Sequence, residues 1–136
     1  MITQGQTQSF KVELCQGVHD FLTDTFKIAL YTAIADIGAD TTVYTSSNEV
    51  VDANYAAGGN ILTGVTLAGA NGVAYINFNN SSWIPAGFTA RGALIYNSTK
   101  GNKSVAVLDF GSDKTGVPNF IVQMPTNTSA DALIRI

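Results

Sequence analysis

The chain has 136 residues, 46% of them apolar and only 12% charged, with a net charge of 7 − 10 = −3. A chain of this length builds one hydrophobic core and not two, and 7 Phe, 5 Tyr and 1 Trp exclude an intrinsically disordered chain. The charged share is about half the usual roughly 25%, and no basic stripe of the kind that binds nucleic acid is present.

Residues 1–7 read as a loose polar arm that only a partner would order. On that reading the fold survives deletion of the arm, while attachment to a partner suffers. Residues 8–23 are the one convincing helix. Phe10, Leu14, Val18 and Phe21 fall on one face of a 3.6-residue repeat, Ser9 is the expected N-cap, and Gly17 weakens the segment. Cys15, the only cysteine, is expected to be a buried, inert thiol on that helix. It permits no disulfide within the chain.

From Phe26 the apolar period becomes two, which predicts a strand over 26–33. A turn at 36–40, a short extended piece at 41–44 and an irregular stretch at 48–58 follow. Ile61, Thr63, Val65 and Leu67 read as one face of the next strand. Asn71-Gly72 then predicts a hairpin, because both residues tolerate positive φ. Residues 73–78 form the returning strand. Trp83 lies in a turn-like stretch before Pro85, which bars a central strand there. The indole reads either as a lid on one end of the core or as an interface anchor. Residues 88–96, 105–110, 119–124 and 132–136 complete the strands, with turns at 97–102, 111–116 and 125–130. Seven to nine short strands with evenly spaced turns predict a mainly β protein, an antiparallel β-sandwich with one N-terminal helix. Residues 8–136 then make a single domain behind the arm.

The chemistry-bearing residues are sparse. His19, the only histidine, stands four residues after Cys15, but nothing like a nucleophile turn or an oxyanion loop accompanies the pair. Two such ligands cannot make a zinc site. The ten acids are scattered mainly through turns, and neither Asp36/Asp40 nor Asp109/Asp113 matches a calcium loop. No phosphate-binding glycine loop is present, and Asp109-Phe110-Gly111 lacks every other part of a kinase. Arg91, Lys100, Lys103 and Lys114 are too few for a nucleic-acid groove. No apolar run is long enough to cross a membrane, and no secretory signal opens the chain, so the expectation is a protein made in the cytoplasm. The charge is uneven. Residues 1–68 carry 2 − 7 = −5 and residues 69–136 carry 5 − 3 = +2. Such halves read either as drift along the chain or as oppositely charged faces that meet between copies.

Several segments, in order, carry a resemblance. They are Gln16-Gly17-Val18-His19-Asp20, Asp24 to Thr32, Thr41-Thr42-Val43-Tyr44-Thr45 with Asn48-Glu49-Val50, and Tyr55-Ala56-Ala57-Gly58-Gly59. Later stand Ala90 to Asn97 and Ala106-Val107-Leu108-Asp109-Phe110-Gly111. From about Ser9 to Ile136 the chain resembles the small virion structural proteins of tailed bacteriophages. The resemblance implies a jelly-roll-like sandwich on the capsid surface of a virion made in a bacterial cytoplasm. It implies a non-enzymatic cement or decoration protein that bridges major capsid proteins. A protein in that role is expected to self-associate by symmetry, as a homodimer or a trimer, and the sparse chemistry above leads to the expectation of no cofactor, metal, nucleic acid or membrane. The side chains singled out for interfaces are Phe10, Leu14, Trp83, Arg91 and Ile136. A neck, tail or fibre-base component of the virion is the alternative, and a carbohydrate-binding β-sandwich, which needs exposed aromatics, is the third reading.

Overall fold

The computed structural model describes residues 1–136. Ten strands and one helix are arranged as β1 (Gly5–Gln6), α1 (Gln8–Cys15), β2 (Phe26–Tyr31), β3 (Asn60–Ile61), β4 (Thr66–Ala70), β5 (Val73–Asn77), β6 (Ser81–Trp83), β7 (Phe88–Asn97), β8 (Lys103–Gly116), β9 (Phe120–Val122) and β10 (Ile134–Arg135). A five-stranded sheet runs β1-β8-β7-β2-β3, a three-stranded sheet β10-β5-β4, and β6 pairs with β9. Every pair of strands is antiparallel. The architecture is the expected antiparallel sandwich with one helix.

The sequences of the central strands explain why the large sheet lies in the middle. Phe26-Lys27-Ile28-Ala29-Leu30-Tyr31 and the Ala93–Tyr96 run are apolar on both faces, as strands covered on both sides are. Phe26, Ile28, Leu30, Ala93 and Ile95 point into the main core, where Ile76, Trp83, Phe120, Val122 and Ile134 from the smaller sheets and Phe78 just past β5 meet them. Ala29, Tyr31, Leu94, Tyr96 and Val107 point the other way. There Ile2, Ala35 and Ile37 cover them as a second, smaller core, so the apolar interior divides across the sheet where the length alone predicts a single core. The accessible surface is 6822 Å², as scaling gives for a monomer of this mass, ~6,800 Å².

The N-terminal segment is therefore part of the fold and not a loose arm. Gly5 and Gln6 pair with Val107 and Ala106 of β8, Ile2 bridges to Ile37, and Ile2 and Thr7 are buried. Deleting residues 1–7 is expected to cost about 3 kcal/mol. Burial of Ile2 accounts for roughly 2 of these, and the N-cap, whose Thr7 Oγ1 accepts from the Phe10 N–H, for about 1. A denaturant titration of the truncated chain measures the loss directly.

The helix is shorter than its apolar spacing predicts. It is capped by Thr7 rather than Ser9 and ends after Cys15, because Gly17 takes φ +71°. Phe21 reaches the core and His19 packs on Phe10 and Phe26 from irregular chain beyond it, while Val18 stays half-buried outside the core. Cys15 is exposed, not buried. The expected strand at 61–67 divides into β3 and β4, with Leu62 as the inward residue and Ile61 60% exposed. The extended piece at 41–44 makes one bridge, Val43 to Lys103. The expected turn at 111–116 is strand, because β8 absorbs Gly111 (φ +83°) as a bulge where its register against β7 shifts between Ala90 and Gly92. The Asn71-Gly72 hairpin forms as expected, with Ala70 facing Val73 and positive φ at both turn residues.

Candidate functional site

Two buried polar clusters and one open groove stand out from the apolar framework. The first cluster is built on Glu49. The 46–50 loop docks on the end of β2, where the Thr32 N–H donates to the Asn48 carbonyl and the Val50 N–H to the Leu30 carbonyl. This turns the Glu49 carboxylate inward. Its Oε1 accepts from the Tyr44 hydroxyl at 2.6 Å, and its Oε2 from the Tyr55 hydroxyl at 2.6 Å and the Gly58 N–H at 2.8 Å. The Tyr55 oxygen also accepts from the Leu30 N–H, and Tyr96 donates to the Gly58 carbonyl. Burial first, then the Glu49 charge, pushes the Tyr96 hydroxyl up to about 12. Tyr31, Tyr44 and Tyr55 are raised as well, with desolvation the largest cause for each. The carboxylate is satisfied and closed in, which makes it a pin for the 44–58 segment.

The second cluster centres on His19. Asn97 Nδ2 donates to His19 Nδ1 at 3.0 Å and to Asp24 Oδ2 at 2.8 Å. His19 Nδ1 therefore accepts, and Nε2–H donates to Glu13 Oε1 at 3.1 Å. Lys103 and Lys100 close the ends on Glu13 and Asp24. Desolvation opposes ionisation of Asp24, but hydrogen bonds from Asn97, the Asp20 N–H and Lys100 outweigh it and hold the carboxyl below its ordinary range. The imidazole is fully enclosed against Phe10 and serves to join α1 to β7. Cys15 takes no part in it.

The groove holds about 1160 Å³, above the roughly 300–1,000 Å³ of small-ligand pockets. It runs between β1 and the outer half of β8 on one side and residues 119–125 on the other, with Asp131–Leu133 and Arg135 at its end. Leu108, Phe110, Met124 and Leu133, all partly buried against the main core, give it an apolar floor.

Its two walls differ. β8 has β1 beside it only at Ala106 and Val107. Beyond them Gln4 Oε1 accepts from the Asp109 N–H, Gly111 bulges, and Asp113 and Lys114 carry charge. Charges and bulges are what protect a sheet edge from foreign strands. β9 pairs with β6 alone, and no charged residue stands between Lys114 and Asp131. Ile121 is 50% exposed at its centre, and the neighbouring Ile84 and Val117 are exposed as well. The β9 wall is a short edge of three residues between Pro118 and Pro125 that carries no charge.

The residues expected at an interface divide. Phe10 is fully buried and Trp83 lies in β6 at 5% exposure, stacked near Tyr55 and edge-on to Phe88 and Phe120. Both are core residues, which corrects the expectation of a contact role and leaves no indole face for a sugar. Leu14 is half-buried against the core. Arg91 faces Asp109 at 3.4 Å, where the Gly111 N–H and then the guanidinium hold the carboxyl below its ordinary range. Ile136 stays exposed, tied to Ala74 by two backbone hydrogen bonds. The structure does not bring these five together. Sequence reasoning missed the groove lining, whose one signal is the charge-free run after Lys114.

No helix of the chain is long and apolar enough to cross a membrane. Comparison with known proteins finds no matching family, no matching curated protein and no matching solved structure.

Proposed function

We propose that the chain is a non-enzymatic structural protein of a tailed-bacteriophage virion, a capsid cement protein that bridges and stabilises neighbouring major capsid proteins. One observation supports a binding role above all. A large groove with an apolar floor is bounded by a strand edge that carries neither a charge nor a second partner strand. Such an edge accepts an added strand through main-chain hydrogen bonds. The 12% charged content favours close packing over mutual repulsion. The ordered resemblance to small virion proteins supplies the particle, its assembly in the bacterial cytoplasm and its capsid surface as the place of work. Cement acts by contact area, so it needs no cofactor or metal.

Copy number tests the proposal. Densitometry of purified particles against the major capsid protein is expected to give comparable abundance. A few copies per particle would assign the chain to the neck, tail or fibre base instead, and absence from particles would overturn the virion reading altogether.

A further inference from the structure

We infer that His19 is an acid-sensitive latch: a second proton on its ring breaks the bond to Asn97 and frees residues 16–25, with the end of α1, from the sheet. The site has a place for one imidazole proton and none for two. Nε2–H already donates to Glu13 Oε1 at 3.1 Å, so a second proton goes to Nδ1, which accepts from Asn97 Nδ2 at 3.0 Å. Asn97 cannot turn its amide to receive it. The other Nδ2 hydrogen donates to Asp24 Oδ2 at 2.8 Å, and Oδ1 accepts from the Thr99 and Lys100 N–H groups. Turning the amide would set N–H against those two N–H groups and an oxygen against the Asp24 carboxylate. Water offers no substitute acceptor, because the imidazole and Asn97 are both wholly enclosed.

The charges around the ring do not make up for the lost acceptor. α1 presents Glu13, whose other oxygen Lys103 of β8 holds at 3.4 Å, while Lys11 of the same helix is exposed to solvent. The 16–25 segment presents Asp24, and Lys100 from the β7–β8 turn stands 3.3 Å from it. Asp20 turns its Oδ1 to the Leu22 N–H. Each carboxylate bonded to His19 or Asn97 thus has an ammonium of its own. Phe10 and Phe26, packed against the ring from α1 and β2, do not titrate. Glu13 is bonded to Nε2–H in both protonation states, whereas the bond at Nδ1 exists in one only. Burial of a second charge and a donor set against a donor therefore decide the sign. What the latch holds down is apolar. Phe21 stacks on Phe26 at 4.5 Å and meets Phe10 edge-on, and Lys100 Nζ donates to the Val18 carbonyl above them in the same segment. Release bares these three rings.

Urea titrations of the full-length chain between pH ~8 and ~5 test this in solution, apart from any particle. The unfolded chain takes the second imidazole proton freely within this range, so stability present at the upper end falls as the pH drops. The folding constant of the wild-type chain is expected to fall about tenfold between pH ~6.5 and ~5. Asp24 stays charged over this window, because its carboxyl is held below its ordinary range. His19→Gln keeps an acceptor and a donor but takes no second proton. Its stability is expected to be lower at the upper end and to stay level through the window. A second readout needs no variant. In the wild-type chain the ring nitrogen signals of His19 are expected to remain those of the Nε2–H form while the amides of residues 10–25 stay protected from exchange, and to change only as that protection is lost. A wild-type chain equally stable at both ends of the range, an equal fall in His19→Gln, or a doubly protonated ring with protection intact would each overturn the inference.

Discussion

Replacing Glu49 with alanine is expected to cost about 4 kcal/mol, a large share of the ~5–15 kcal/mol that holds a domain of this size together. The substitution leaves the Tyr44 hydroxyl, the Tyr55 hydroxyl and the Gly58 N–H without their acceptor. Each buried donor left unpaired costs about 1–3 kcal/mol. Tyr44 is half-buried and finds water, so the loss falls mainly on the other two. Glu49→Gln is expected to cost about half as much, because one oxygen remains while the new amide sets its own N–H against a donor. Tyr55→Phe is expected to cost more than Tyr44→Phe, since the Tyr55 oxygen also serves the Leu30 N–H. Urea titrations of the four variants rank these effects. A Glu49→Ala chain within ~1 kcal/mol of wild type would remove the carboxylate from its role as a pin.

The same cluster fixes the response to alkali. The folded chain holds the protons of Tyr31, Tyr44, Tyr55 and Tyr96 more tightly than the unfolded chain, whose tyrosines ionise near pH ~10. Their contribution to stability is complete below that pH and falls as pH rises through it. Tyrosinate absorbance is expected to lag for these four until the chain unfolds. In Glu49→Ala the lag shortens, because the negative charge that raises all four is gone.

How much of this was legible before folding depends on where each signal resides. The β4–β5 hairpin and the central strands β2 and β7 are local statements: Asn71-Gly72 chooses its turn, and unbroken apolar runs choose burial on both faces. The helical spacing of Val18 and Phe21 continues past Gly17, which has already turned the chain, so for Phe21 the periodicity reports burial and not conformation. Gly111 to Gly116 has the composition of a turn, yet Lys114 to Gly116 pair with β7 as strand, and Phe110 to Asp113 bulge opposite Arg91. Glu49 carried no signal at all. Its donors come from Tyr44, Tyr55 and Gly58, in a stretch without period, and an acid is buried only when the tertiary fold assembles such partners. Trp83 is inward because the pairing of β6 with β9 carries it there, a contact between segments far apart in the sequence. The groove had a faint trace in the long uncharged run, but a missing charge names an edge only once the sheet order is known.

Gly59→Ala is expected to be at least as damaging as Glu49→Ala, through backbone geometry and not through lost donors. Gly59 takes φ +76°, where an L side chain costs about 1–2 kcal/mol. A Cβ built there overlaps the Ile28 carbonyl oxygen and stands 2.6 Å from Ile28 C and 2.8 Å from Ala29 Cα. These are atoms of the central strand, which cannot swing aside as a side-chain end can. The chain at 59 must move away instead. Doing so separates β3 from β2, where Asn60 pairs with Ile28, and draws Gly58 off both the Glu49 carboxylate and the Tyr96 hydroxyl. Backbone strain, overpacking at about 1–3 kcal/mol and the loosened hydrogen bonds together give roughly 4–6 kcal/mol. Gly72→Ala is the control. Its φ is +77°, but nothing lies within 4 Å of the added carbon, so only the backbone cost of about 1–2 kcal/mol remains. Equal losses for the two variants would show that torsion alone sets the cost. A loss several times larger at Gly59 would show that the close approach to β2 is what the glycine is there to permit.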